Sequence, residues 1–245
     1  MRIQTHPVGS ALLHPTPRGR RVTWFAALAG LLLTGLGFIL RAAPIDAPAV
    51  EAFNRMHIGA WGRTADAIYL ALEPIPSALL TLLILITIAA VLRSVRTAIV
   101  FGGIVALTWL PTAAIKAIVN RPRPDVLTLA HPFTPAQVDG SFPSGHTAFV
   151  AALTIAFWFL LRGTRGASIA LIAGAASTVT VGLAVVSDGL HYPTDVMASI
   201  AWAIAMAPTA RWIMVDVITP RLDRYGKRNW RLGSLARRRR SRSRG

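Results

Sequence analysis

Three short polar clusters hold the residues of this sequence that could do chemistry. The first is Lys116, followed by Arg-Pro-Arg-Pro at 121–124. Proline disfavours α geometry at the residue before it, and both Arg121 and Arg123 precede a proline. A helix containing Lys116 is therefore expected to end near Asn120. Two guanidinium groups would then lie on an extended segment just beyond a lysine. Taken alone, Lys116 is also typical of a cation at a membrane interface.

The second cluster is Pro-Ser-Gly-His at 143–146. Ser144 is a favourable N-cap residue, and Gly145 allows a ligand to approach the backbone closely. The free N–H groups at the start of a helix form a binding site for an anion. A plain helix cap beside a chance His146 would explain the same residues.

The third cluster runs from Asp188 to Asp195 and contains His191. Pro193 and Thr194 favour a helix start, which places Asp195 in the first turn, where it could hold one tautomer of His191. Helix capping by Thr194 and Asp195 is the simpler explanation. The role of Asp188 stays open between a contact with a ligand and exposure to water.

The chain that must position these clusters is strongly apolar. Only 15% of its 245 residues are charged, against about 25% in soluble domains, and its mean hydropathy is +0.52. Six stretches contain no charged residue: 22–40, 74–92, 97–115, 147–161, 166–187 and 196–210. Since a helix needs roughly 20 apolar residues to cross a bilayer, the pattern predicts an all-α polytopic membrane protein with six transmembrane helices. The segment 44–76 is expected to form one or two short helices on the membrane surface.

The distribution of charge predicts how these helices are oriented. Lys and Arg concentrate in both terminal segments and in two short connections, whereas the opposite segments hold eight of the ten acidic residues. By the positive-inside rule, both termini are cytoplasmic and all three clusters lie on the outer face. Together they would assemble cations, a helix start, two histidines and an aspartate, which are the parts that phosphoryl transfer needs.

These clusters resemble the motifs of the type 2 phosphatidic acid phosphatases, a superfamily of lipid phosphate phosphatases and haloperoxidase-related proteins. Lys116 and Arg123-Pro124 fit its first motif, and Pro143-Ser144-Gly145-His146 fits its second. Only the histidine and the aspartate of its third motif are present, as His191 and Asp195. The six-span layout of the family would cover residues 22 to about 215.

The third motif departs from the family at two adjacent positions. Six residues before His191 the family has a phosphate-binding arginine, where this chain has Val185, and the preceding serine is Ala184. Loss of one preorganised donor typically costs about 3–4 kcal/mol of transition-state stabilisation. We expect Arg121, two residues from Arg123, to supply the missing cation.

The resemblance also implies a mechanism. His191 attacks phosphorus to form a phosphohistidine, Asp195 orients the ring of His191, and His146 protonates the leaving oxygen and then activates water. The substrate-binding residues that it implies are Lys116, Arg121, Arg123, Ser144 and Gly145. No cofactor and no metal are expected, because side-chain cations neutralise the phosphate charge. A divalent ion held by His146, His191 and Asp195 stays an alternative.

The expected substrate is a lipid phosphate. Two of the apolar stretches have 15 residues, about 23 Å of helix, so their reactive starts should lie at the level of the lipid headgroups. Phosphatidic acid, phosphatidylglycerol phosphate and polyprenyl mono- or diphosphates all qualify for hydrolysis. The alternatives are transfer of the phosphoryl group to an alcohol, a lipid-phosphate-binding protein impaired by Val185, and a transporter.

The terminal segments account for most of the net charge of +16. Residues 1–21 and 216–245 are expected to be basic cytoplasmic tails that contact anionic lipid headgroups and not nucleic acid, on either side of a membrane domain at 22–215. Arginine outnumbers lysine 24 to 2, and with abundant alanine this favours a GC-rich bacterial source. The expected location is therefore a bacterial inner membrane, with the site facing outward.

Overall fold

The computed structural model describes residues 8–16 and 19–221. Within them the chain forms ten α-helices and no strand. In chain order these are α1 (Ser10–Leu13), α2 (Gly19–Ala42), α3 (Ala47–Asn54), α4 (Gly59–Ala71), α5 (Pro74–Val91), α6 (Val95–Trp109), α7 (Pro111–Val119), α8 (Gly145–Leu161), α9 (Gly166–Ser187) and α10 (Pro193–Trp212). A 3-10 turn, Val126–Thr128, lies between α7 and α8, and a π-helical turn, Ile213–Ile218, follows α10. The arginine-rich part of the predicted C-terminal tail lies outside the described residues.

The helices have the lengths and composition of membrane spans. Among the described residues, five helical segments are long and apolar enough to cross a bilayer: Gly19–Ala42, Pro74–Val91, Val95–Val119, Gly166–Ser187 and Pro193–Arg221. α8 is equally apolar but has 17 residues, about 26 Å of helix. The predicted all-helical membrane fold is therefore confirmed, whereas the sixth crossing and the orientation of the termini stay predictions.

α8 lies at the centre of the bundle and packs against α6, α9 and α10. Its small and aromatic side chains fill the main core, with Phe149, Ala152 and Ala156 fully buried. α2 and α5 lie at the periphery and expose most of their apolar side chains. A helix that is apolar on all sides and yet exposed in the protein is suited to contact with lipid.

The third apolar segment is broken into two helices near the clusters. Pro111 has no N–H to continue the helical hydrogen bonds, and α7 starts there. The carbonyl oxygen of Thr108, just before the break, accepts a hydrogen bond of 2.7 Å from the indole of Trp202. α7 ends before Asn120, which has a left-handed φ of 44°, so the predicted helix end is confirmed.

The connections around the clusters follow the expected pattern. The segment 44–76 contains two short helices, α3 and α4, and Pro74 begins α5. The long proline-rich connection between α7 and α8 has no regular structure among its described residues except the 3-10 turn. It runs across the end of the bundle at which α8 and α10 begin, and its backbone at Phe133 bonds to that of Asp188, after α9.

The described part of the N-terminal segment packs into the bundle, although the sequence indicated a tail. Leu12 of α1 is completely buried against α6 and α8. Arg211 of α10 donates hydrogen bonds of 2.9 and 3.2 Å to the carbonyl oxygens of Ala11 and Leu12, and one of 3.0 Å to the hydroxyl of Thr16. These residues therefore belong to the folded domain.

Replacement of Arg211 by Met should lower the free energy of unfolding by about 2–3 kcal/mol, because buried carbonyl oxygens lose their donor. Thermal unfolding in detergent measures the change. The control is Arg63→Met, at an exposed position of α4. Equal melting temperatures for the two variants would show that docking of the N-terminal segment contributes nothing.

Candidate active site

The second motif forms the start of α8. The hydroxyl of Ser144, which is fully buried, accepts hydrogen bonds from the backbone N–H and the hydroxyl of Thr147, at 3.4 and 3.1 Å, so the predicted N-cap is confirmed. Gly145 and His146 follow in the first turn, where backbone N–H groups have no partner within the helix. A Cβ atom at Gly145 would meet no protein atom within 4 Å, so this backbone faces open space.

The third motif lies on the turn between α9 and α10. Gly189 has a φ of +74°, a conformation that favours glycine, and it lets the chain reverse before the predicted helix start at Pro193. One carboxylate oxygen of Asp195 accepts the backbone N–H of Tyr192 at 2.9 Å and lies 3.5 Å from Nδ1 of His191. Asp195 therefore faces Nδ1, and Nε2 is the ring nitrogen left for chemistry.

The cations of the first motif converge on one anion, the carboxylate of Asp139. Nζ of Lys116 lies 2.8 Å from one oxygen, and Nη2 of Arg123 lies 2.6 Å from the other. Burial raises the pKa of Asp139, but the hydrogen bonds and charges of Lys116 and Arg123 outweigh this effect and lower the pKa to about 2. The carboxylate is therefore ionised at any physiological pH, and its side chain is 52% exposed.

These groups surround a cavity of about 380 Å³. Its lining combines polar and apolar side chains from α4 to α8: Tyr69, Leu72, Glu73, Pro74, Trp109, Leu110, Thr112, Ala113, Lys116, Arg123, Gln137, Asp139, Gly145 and His146. The ring of His146 stacks on Tyr69 with centroids 4.4 Å apart, and its Nε2 lies 3.2 Å from the carbonyl oxygen of Tyr69. His146 is thus held at the cavity wall by both its ring face and its edge.

His191 lies next to this cavity but does not line it. The residue is 1% exposed, and Nη1 of Arg123 donates a 2.7 Å hydrogen bond to the carbonyl oxygen of the preceding Leu190. Burial lowers the pKa of His191 to about 4, with Arg123 and Lys116 adding to the effect and Asp195 opposing it. The imidazole is therefore neutral at neutral pH, which is the form that carries a lone pair.

Arg121 does not reach the cavity, contrary to the sequence-based expectation. Its guanidinium lies 2.7 Å from Asp195 and 2.6 Å from Asp46, and it stacks over the ring of Tyr192 at 3.7 Å. The residue is 1% exposed. The two carboxylates accept hydrogen bonds from Nη1 and Nη2, so Arg121 holds Asp195 in place and does not supply the cation that is absent at position 185.

The two other unusual residues of this region also face away from the cavity. Val185 is fully buried in an apolar cluster with Phe133 and Leu190, so no cation takes the place of the family's arginine there. Asp188 is 1% exposed, and burial together with the charge of Asp66 raises its pKa to about 8. A contact between Asp188 and a substrate headgroup is therefore not supported.

Sequence reasoning missed three residues of the site: Asp46, Tyr69 and Asp139. The two acids were visible only as members of the group of eight acidic residues in the predicted outer segments. Nothing in their spacing distinguishes them from the other six, because each meets its partner across a large separation in sequence. For Tyr69 the sequence carries no signal that we can identify.

Residues 96–218 match the family model of the PAP2 superfamily. The chain therefore belongs to this superfamily, as the motifs indicated. It is 33% identical over 111 residues to a lipid A 1-phosphatase of Rhizobium etli, which covers 43% of either chain. It is 32% identical over 110 residues to the undecaprenyl-diphosphatase BcrC of Bacillus subtilis, which covers 44% of this chain and 54% of that protein. The matches thus span about half the length of these relatives.

The fold has a counterpart among solved structures. The crystal structure of the first transmembrane PAP2 type phosphatidylglycerolphosphate phosphatase from Bacillus subtilis superposes with a TM-score of 0.59, over 82% of this chain and 95% of that chain. The two sequences are 17% identical over this region. At this identity the likeness shows the shared fold.

Replacement of Arg121 by Met should lower the free energy of unfolding by about 3–5 kcal/mol, because Asp46 and Asp195 would stay buried without a counter-charge. Chemical unfolding in detergent measures the change for Arg121→Met, Asp46→Asn and the double variant. The double variant should lose less than the sum of the single losses, since the groups interact directly. Strictly additive losses would contradict the coupling.

Proposed function

We propose that the protein is a metal-independent lipid phosphate phosphatase that works through a phosphohistidine. The observation that carries the proposal is the convergence of Lys116 and Arg123 on the single carboxylate of Asp139, at a cavity that His146 lines. Carboxylates and phosphates accept hydrogen bonds from the same cationic donors. A substrate phosphate would therefore take the place of Asp139 between the two cations.

The chemistry begins at His191. Its Nε2 attacks phosphorus, the new P–N bond forms, and the bond from phosphorus to the leaving oxygen breaks. Asp195, on the Nδ1 side of the ring, stabilises the positive charge that develops on the imidazole. Arg121 acts here as a positioning residue, because it fixes the Asp195 carboxylate without touching the substrate.

His146 acts on the other side of the phosphorus atom. As a general acid it gives its proton to the leaving oxygen, and as a general base it then takes a proton from the attacking water. The water oxygen forms a bond to phosphorus while the P–N bond breaks, which releases phosphate and restores neutral His191. The position of His146 in the cavity wall supports this role, since both the leaving group and water must arrive through the cavity.

The nonbridging oxygens would be bound by cations and by backbone. Lys116 and Arg123 supply charge, and the N–H groups at Gly145 and His146 supply donors at the positive end of the α8 dipole. This arrangement accounts for the substrate-binding roles expected of these residues, with Ser144 as the cap that shapes the helix start. It gives the site one cation fewer than the family pattern, because Val185 is apolar.

The shape of the cavity supports a lipid substrate. Its polar end holds the two cations, and its other wall is apolar, with contributions from Leu72, Trp109 and Leu110. Leu110 is 59% exposed at the break between α6 and α7, on a surface that faces the bilayer in the predicted arrangement. An amphiphile could therefore place its phosphate between the cations while its chains stay in the membrane. The names of the two enzyme relatives, which act on lipid A and on undecaprenyl diphosphate, favour the same substrate class.

Purified protein should release phosphate from phosphatidic acid or a polyprenyl diphosphate in detergent with EDTA present. His191→Ala should lower the rate by at least about 10³-fold, and His146→Ala by about 10²–10⁴-fold, because each removes a group that acts on the reacting atoms. His131→Ala, at an exposed position away from the cavity, is the matched control. Labelled lipid phosphate should leave acid-labile label on the wild type and none on His191→Ala.

Three outcomes would overturn the proposal. If the His191→Ala variant still releases phosphate at the wild-type rate, a phosphohistidine at this residue is excluded. Binding of both lipids without release would indicate a lipid-binding protein, in line with the apolar residue at position 185. Transfer of label to an added alcohol without free phosphate would instead indicate a phosphotransferase.

Replacement of Asp139 by Asn should strengthen binding of inorganic phosphate about fivefold, since removal of a half-exposed competing charge is worth about 1 kcal/mol. The pKa of Asp139 is about 2, so the carboxylate competes with phosphate equally at pH 5 and pH 8. The ratio of phosphate affinities between the variant and the wild type should therefore be the same at both pH values. The inhibition constant of phosphate measures each affinity. Asp125→Asn, in the same connection, is the control, and equal constants for both variants would contradict the competition.

A further inference from the structure

A second group of polar side chains lies apart from the catalytic cavity, at the same end of the bundle. It consists of His57 between α3 and α4, Asp66 on α4, and Asp188 just after α9. Nε2 of His57 lies 3.0 Å from Oδ1 of Asp66 and 3.3 Å from Oδ1 of Asp188. One ligand atom of each residue lies within 4.8 Å of the other two.

The hydrogen bond at the far side of the His57 ring determines which nitrogen carries its proton. Nδ1 lies 2.8 Å from the carbonyl oxygen of His131, and a carbonyl oxygen only accepts. Nδ1 is therefore the donor, and in the neutral ring Nε2 presents its lone pair to two carboxylates. Three electron-rich atoms then face one another, and either a proton or a metal ion among them must offset their repulsion.

The burial of Asp188 makes this requirement stronger. Its side chain is fully buried, and among the residues that the structure describes neither carboxylate oxygen has a hydrogen-bond partner. Asp195 is buried to the same degree but receives hydrogen bonds from Arg121 and from the backbone of Tyr192. A buried carboxylate without a donor is rare in folded proteins, and either a bound proton or a bound cation must compensate its charge.

We propose that His57, Asp66 and Asp188 bind a divalent transition-metal ion such as Zn²⁺ or Mn²⁺. One imidazole nitrogen and two carboxylate oxygens suit such ions, with water completing the coordination. A metal-ligating histidine characteristically donates its other N–H to a backbone carbonyl or a carboxylate, as His57 does to His131. A cavity of about 280 Å³, lined by His57 and Asp66, gives the ion access from solvent.

The ion would join segments that are far apart in sequence and that surround the catalytic histidine. Asp188 lies three residues before His191, and its carbonyl oxygen accepts the backbone N–H of Phe133 at 3.0 Å. His57 reaches the same connection through His131. The ion therefore stabilises the loops around the active site and takes no part in phosphoryl transfer, which agrees with a reaction that needs no metal.

Metal binding by the full-length protein, with any polyhistidine tag removed, tests the proposal directly. The protein is treated with EDTA, desalted and titrated with Zn²⁺ in detergent, followed by mass spectrometric metal analysis and calorimetry. The wild type should retain one equivalent of Zn²⁺, and its melting temperature should rise by several degrees. Mn²⁺ should compete for the site, and Mg²⁺ should compete only weakly.

The location is tested by two pairs of variants. Asp188→Asn and Asp66→Asn should each weaken Zn²⁺ binding at least tenfold, and Asp66 is exposed enough for its variant to fold if Asp188→Asn does not. His146→Ala and His191→Ala should keep one equivalent, whatever their effect on phosphate release. The proposal is overturned if the wild type binds no Zn²⁺, if both Asp variants retain it, or if either catalytic-histidine variant loses it.

Discussion

The ion pairs of the buried Arg121 guanidinium are the interactions on which the proposed active-site end of this bundle depends. An ion removed from water costs several kcal/mol unless close partners compensate it, and Arg121 has two carboxylates and the ring of Tyr192 around it. Asp46 precedes α3 and Asp195 lies in the first turn of α10, so one side chain fixes three segments that are distant in sequence. None of the three can shift without exposing or unpairing a charge.

This arrangement divides the cations of the first motif between two tasks. Arg121 faces inward and holds the Asp195 carboxylate, whose other oxygen lies toward Nδ1 of His191. Lys116 and Arg123 face the cavity, where they hold a single carboxylate. The position that the family gives to a further cation contains Val185 within an apolar cluster. The proposed phosphate site is therefore built on two side-chain cations and the start of α8.

The helices around this site have the surface of a membrane protein, with apolar side chains exposed toward the lipid. The peripheral helices α2 and α5 expose apolar side chains, while the central α8 is short and begins at the cavity. The six long apolar stretches contain no charged residue, because a charge at mid-membrane is costly. A cavity with cations at one end and apolar walls at the other follows from this distribution.

The sequence by itself determined the apolar spans, several helix ends and the motifs of the proposed site, because these depend on local features. Long apolar runs specify the spans, α7 ends before Asn120, Pro193 begins α10, and Ser144 caps α8. The sequence did not determine which acid each cation would meet, since eight acidic residues were available at that end of the bundle. Only the tertiary structure assigned Asp139 to the cavity and Asp188 to His57, because such pairings depend on the packing of distant segments. Arg121 was misjudged for the same reason: proximity to Arg123 in sequence indicated a phosphate contact, whereas burial made two carboxylates its necessary partners.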